Sequence, residues 1–260
     1  GMAMKNILKI MLMMITIFTI AGSAVYAAEI PVSDQDQLIT SRDWTEISNL
    51  QDEMKKEEPD ATIDYDKALK VYVDCNLIKL QTADTKKLTS ALESANYVWV
   101  IPFKMEKTYG MFTVAKGLPL REEAKSVLTK AEQEEVKNHA GKWMITEIAE
   151  HTVEPYYDIL LEKREALSDC TRVVLVGSQP GMRQPVALGM DDETARIWIS
   201  LGYQYPVMEK IPETQNVESG VYSFDSVAEI SDTYIEDSEV STGAGVQSRS
   251  SMKYVAGIGI

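Results

Sequence analysis

The residues of this chain that could do chemistry are few: two cysteines, two histidines, and serines and acids grouped near turn signals. Ser178 stands in Gly177-Ser178-Gln179-Pro180-Gly181, directly after an apolar run. A nucleophile elbow presents its serine on a strained strand-to-helix turn and needs a glycine two places earlier, where this chain has Val176. Proline, glycine and another strand pattern follow, so a β-turn accounts for the segment and no catalytic residue is assigned.

His151 lies among Glu147, Glu150 and Glu154, the densest imidazole–carboxylate neighbourhood. The other imidazole, His139, is not at ligand spacing, so the pattern predicts a solvated strand terminus and no metal site. Asp191-Asp192-Glu193 could offer oxygens to Ca²⁺, as could Asp34 with Asp36, but neither set completes a calcium loop. Both read as polar turn chemistry. Gly243-Ala244-Gly245 lacks the flanking strand and helix of a phosphate loop. No cofactor is implied.

Cys75 and Cys170 are an even pair, which in an oxidising compartment is expected to form a disulfide. Tyr97, Trp99, Trp143 and Trp198 all fall in strand patterns, and Trp198 shares a face with Arg196 and Ser200. A tryptophan on a polar sheet face can be a carbohydrate or peptide platform, which makes Trp99, Trp198 and Arg196 the ligand-platform candidates. Burial beneath a helix is the commoner use of such rings.

These residues depend on the elements that carry them. Ser41 can cap a helix with Trp44, Ile47, Leu50 and Met54 on one face, which stops at Glu57-Glu58-Pro59-Asp60. Leu69, Val71 and Val73 alternate with Lys70, Tyr72 and Asp74 as a strand. Leu88, Ala91, Leu92 and Ala95 share a helical face. Tyr97 to Phe103 and Met111 to Ala115 suggest a hairpin, with Pro102 marking an edge or a strand end. Ala124, Val127, Leu128 and Ala131 mark a charged amphipathic helix that ends near His139-Ala140-Gly141.

Trp143 to Ala149 reads as a strand, and Pro155 opens a helix. Val173 to Val176 is apolar throughout and is expected at the centre of a sheet. A strand from Pro185 to Leu188 follows, and then the alternation Ala195, Ile197, Ile199, Leu201. Strands and helices mix without regular alternation, which predicts an α+β fold: a mainly antiparallel sheet with packed amphipathic helices. The expected divisions are 1–27, a signal peptide; 28–61, a polar segment with one amphipathic helix; 62–206, the α+β domain; and 207–260, a Ser- and acid-rich segment, partly disordered or docked.

The leader sets the compartment. Lys5 and Lys9 precede an apolar run from Ile10 to about Ala21, and Val25-Tyr26-Ala27 supplies a small-residue exit. This is the pattern of a bacterial-type secretory signal, and the run is short of the roughly 20 residues a spanning helix needs. The chain carries 26 basic and 40 acidic residues, a net charge of −14. Such a field repels nucleic acid and anionic membrane surfaces. The sequence therefore favours a secreted, non-catalytic binding or interaction module with an extracellular or cell-envelope ligand, and without nucleic acid or, once the signal is removed, membrane as partner. An extracellular hydrolase with a non-local site and a membrane-anchored extracytoplasmic sensor are the alternatives.

Overall fold

A computed structural model describes residues 29–151, 154–177, 179, 185–201, 211 and 216–235. The leader thus lies outside the described residues, as do Ser178 and Gly243 to Gly245. Among the described residues the fold mixes helices with one large, mostly antiparallel sheet of ten strands. In chain order these are β1 (Thr62–Ile63), β2 (Leu69–Tyr72), β3 (Tyr97–Lys104), β4 (Tyr109–Lys116), β5 (Trp143–His151), β6 (Arg172–Val176), β7 (Val186–Met190), β8 (Ala195–Ser200), β9 (Asn216–Glu218) and β10 (Val221–Ser223). Across the sheet the order is β5-β4-β3-β2-β6-β7-β8-β10-β9, with β1 paired to β3. Among the described residues the one parallel neighbour pair of strands is β2 with β6. As its unbroken apolar pattern predicts, β6 is interior, with Val173 to Val176 buried on both faces.

One face is covered twice. Toward β3–β5 it packs under α1 (Trp44–Ile47) and α2 (Gln51–Glu57), whose Ile47 and Met54 meet Trp99, Phe103, Phe112 and Trp143. Toward β6–β10 it packs under α3 (Thr85–Glu93) through Leu88 and Leu92. Asp84 caps α3 by accepting from the Lys87 amide at 2.9 Å, and the two leucines, a helical turn apart, are stabilised by about 1.5–3 kcal/mol each on burial. The opposite face takes Leu160 and Leu167 against Val71, Leu175 and Ile199.

Several elements depart from expectation for identifiable reasons. Pro102 lies in an interior strand. Its missing N–H falls where the second partner of β3 changes, since β2 pairs as far as Val100 and β1 begins at Phe103, so no ladder bond is lost. Ser41 does not cap a helix. Its hydroxyl closes the preceding turn onto the Leu38 carbonyl at 2.7 Å and accepts from the Asp43 amide. The charged helix after β4 is two helices, α4 (Glu122–Lys125) and α5 (Lys130–His139), because Thr129 and Glu132 form a capping box that starts a new one. The helix opened by Pro155 is α6 (Tyr156–Glu162). Beyond residue 206, β9, β10 and α7 (Phe224–Ile235) join the same sheet and core, with Val221, Tyr222, Phe224 and Val227 buried.

Candidate functional site

Among the described residues, a dense set of interacting polar groups lies beneath the N-terminal segment. In the pairing of β2 with β3, Lys70 faces Trp99 and Tyr72 faces Tyr97, so one cation and three rings share a sheet face. Arg172 joins them from β6. Onto this group the N-terminal segment lowers two carboxylates. Asp36, 2% exposed, accepts from the Tyr72 hydroxyl at 2.6 Å and from Arg172 Nη2 and Nε at 2.8 and 3.1 Å. Asp43 accepts from the Tyr97 hydroxyl at 2.7 Å and from the Trp99 indole N–H at 3.0 Å.

Lys70 Nζ stands 4.2 Å above the Tyr97 ring and 4.0 Å from Asp36. Burial pulls this ammonium below the usual lysine range, against the opposing fields of Asp36 and Asp43. Burial likewise pushes the Tyr72 and Tyr97 phenols up. Both oxygens of Asp36 are engaged by protein donors, so the cluster is a fixed polar lock between the N-terminal segment and the sheet. Asp36 sits in a short turn of backbone, as read for Asp34 with Asp36, but unlike Asp191 its side chain does not close that turn and instead reaches the sheet. The strand alternation places Lys70 and Tyr72 on one face but does not say what covers that face. Facing aromatics on β2 and β3 were the available signal, and only the strand pairing brings them together.

Of the expected platform residues, Trp99 belongs to this cluster, whereas Trp198 and Arg196 lie elsewhere. Trp99 and Trp198 are both 0% exposed: the first lies under the N-terminal helices, the second against Phe224 at 6.2 Å between ring centroids. Neither offers a face to solvent, so these rings are not a surface platform. Arg196 is exposed and its Nε is held by Asp191. Asp191 also accepts from the Glu193 and Thr194 amides at 2.8 and 2.7 Å, which closes the β7–β8 turn and, with Arg196, holds the carboxyl below the usual range. This is the turn role expected of the acid triplet. Among the described residues no group of three or more histidines, cysteines or acids could hold a metal ion. His151 closes β5 opposite Tyr109, and its ring lies outside the described residues. Burial raises the carboxyl of its neighbour Glu147.

Cys75 and Cys170 are both buried and unbonded, which corrects the expected bridge. They belong to core clusters on opposite faces of the sheet. Cys75 follows the C-terminal end of β2, whereas Cys170 precedes the N-terminal end of its parallel neighbour β6. The strand between those ends spans about 13 Å at the usual rise per residue. A disulfide needs Cα atoms within about 7 Å. Burial pushes the Cys170 thiol up to about 11 and raises Cys75 as well. The folded state therefore favours the protonated thiol; this contribution is complete below the ordinary cysteine pKa and lost as pH rises through about 11. Native protein at pH 8 is expected to react with a disulfide reagent at the rate of unfolding, and urea should release two thiols together. Prompt labelling of either cysteine in the native state would contradict this placement.

No helix among the described residues is long and apolar enough to cross a membrane. No family model matches the chain, and no curated protein or solved structure matches it, so its function must be read from its own residues.

Proposed function

We propose that the protein is exported and works outside the cytoplasm as a non-catalytic binding module that meets its partner through the arm between β4 and β5. The observation that carries this reading is that none of residues 118–142, all of them described, is buried, although they form two helices. Antiparallel neighbours are commonly joined by two to five residues, and a longer ordered connection that adds nothing to the core usually has another use.

The arm holds its own shape. The Thr129 hydroxyl accepts from the Glu132 amide at 3.2 Å, Glu132 accepts from the Thr129 amide at 2.7 Å, and Gln133 donates to the Lys125 and Leu128 carbonyls at 3.0 Å. Its base is clamped where Gly117 meets Ala140; a Cβ at Gly117 would come within 2.0 Å of the His139 carbonyl oxygen, so that approach requires glycine. Val127, at the bend between the helices, is 80% exposed. A large aliphatic side chain held out by a self-capped arm suits contact with a protein surface. The leader and the acidic field support an extracytoplasmic partner over nucleic acid.

The test is a photocrosslinking residue at Val127, with an exposed control at Lys56, in cells producing the full chain. A discrete adduct from position 127 alone, in the envelope or medium fraction, is the expected result. Absence of adducts, or equal adducts from both positions, would overturn the reading.

A further inference from the structure

At the start of β8, the turn after α6, the first residues of α7 and the chain at Arg196 border an open cleft of about 270 Å³. It is small beside the 300–1,000 Å³ typical of ligand pockets, a size suited to a molecule of a few heavy atoms. Its lining is chemically divided. Arg196 contributes a guanidinium whose Nε is held by Asp191, while among the described residues its two terminal nitrogens donate no hydrogen bond. Asp169 and Asp225 are exposed carboxylates on the same cleft, and the field of Asp169 adds to that of Asp191 in raising the Arg196 guanidinium. Cys170 is 8% exposed and unbonded. Ala166 and Ile197 form an apolar wall.

A guanidinium with a free fork binds a carboxylate through two parallel hydrogen bonds. The carboxylates on the same cleft accept from an ammonium, so a ligand that carries both charges engages both kinds of group. We propose that this cleft binds a small zwitterion of the amino-acid class, its carboxylate on Arg196, its ammonium on Asp169 and Asp225, and its side chain on Ala166 and Ile197. The cleft lies five strand positions from β4 and the arm, so its occupancy stands or falls independently of the arm's partner.

Titration calorimetry of the full chain against L-leucine, L-alanyl-L-alanine and their N-acetyl and C-amide derivatives tests the assignment. The zwitterions should bind and each singly charged derivative should bind at least about tenfold more weakly, the loss expected when one charge-assisted hydrogen bond goes unmade. Arg196→Gln should abolish the preference for a free carboxylate, and Asp225→Asn should weaken the preference for a free ammonium. Both side chains are exposed, so neither variant depends on repacking a core. Equal binding of all derivatives, wild-type preference in R196Q, or no heat with any zwitterion at 10-millimolar order would overturn the proposal.

Discussion

Replacing Asp36 with alanine is expected to destabilise the protein by about 3–5 kcal/mol, the range for removing one partner of a buried ion pair. The carboxylate is the meeting point of Arg172, Tyr72 and, more distantly, Lys70. Without it, two cations and a hydroxyl remain largely buried, and little water can reach them to replace what was lost. Urea unfolding of wild type and D36A at neutral pH reads the difference directly. Asp36→Asn should lose less, because the amide oxygen still accepts from one donor. The double variant Asp36→Ala with Arg172→Met should lose less than the two single changes together, since the second removes the charge that the first strands. A D36A loss below about 1 kcal/mol would mean that water or a rearranged side chain satisfies the cluster, and the lock would have to be abandoned. Native-state hydrogen exchange in D36A should show the earliest loss of protection between β1 and the N-terminal end of the described chain, because Asp36 tethers that segment and not the sheet itself.

Trp198→Ala should cost about 3–5 kcal/mol, as truncation of a large buried aromatic does. The ring is 0% exposed in the cluster that also holds Leu88, Leu92, Leu188, Tyr222 and Phe224, so a void there is bounded by two helices and three strands and cannot collapse cheaply. Trp198→Phe should lose far less. Among the described residues the indole N–H has no hydrogen-bond partner, so its removal strands nothing. These two variants separate core packing from a ligand platform. A surface tryptophan would give a small loss of stability for W198A, whereas a core tryptophan gives a large loss and a graded one for W198F. A W198A protein as stable as wild type would return Trp198 to the candidate platform.

The sequence was informative where a local rule had one physical outcome. The α+β class followed from period-two strands mixed with period-3.6 helices. The central place of Val173 to Val176 followed because a strand apolar on both sides can only be covered on both sides. The Asp191 turn was legible because an aspartate side chain mimics the backbone of the turn it closes.

Tertiary structure alone decided everything that required two segments to be superposed. Strand alternation says which residues share a face but not whether a helix covers that face. Lys70 and Tyr72 alternate with an apolar row and Trp198 shares a face with Arg196 and Ser200, and only the fold shows that all three lie beneath covering layers. The pairing of β2 with β3 and the crossing of the N-terminal segment bring together residues as distant as Asp36 and Arg172, a proximity that no spacing encodes. The cysteines show the converse: composition and compartment suggested a bond, and the sheet placed the sulfurs on opposite faces at opposite strand ends. Side-chain chemistry and periodicity act locally along the chain, while burial and charge pairing depend on which surfaces the fold presses together.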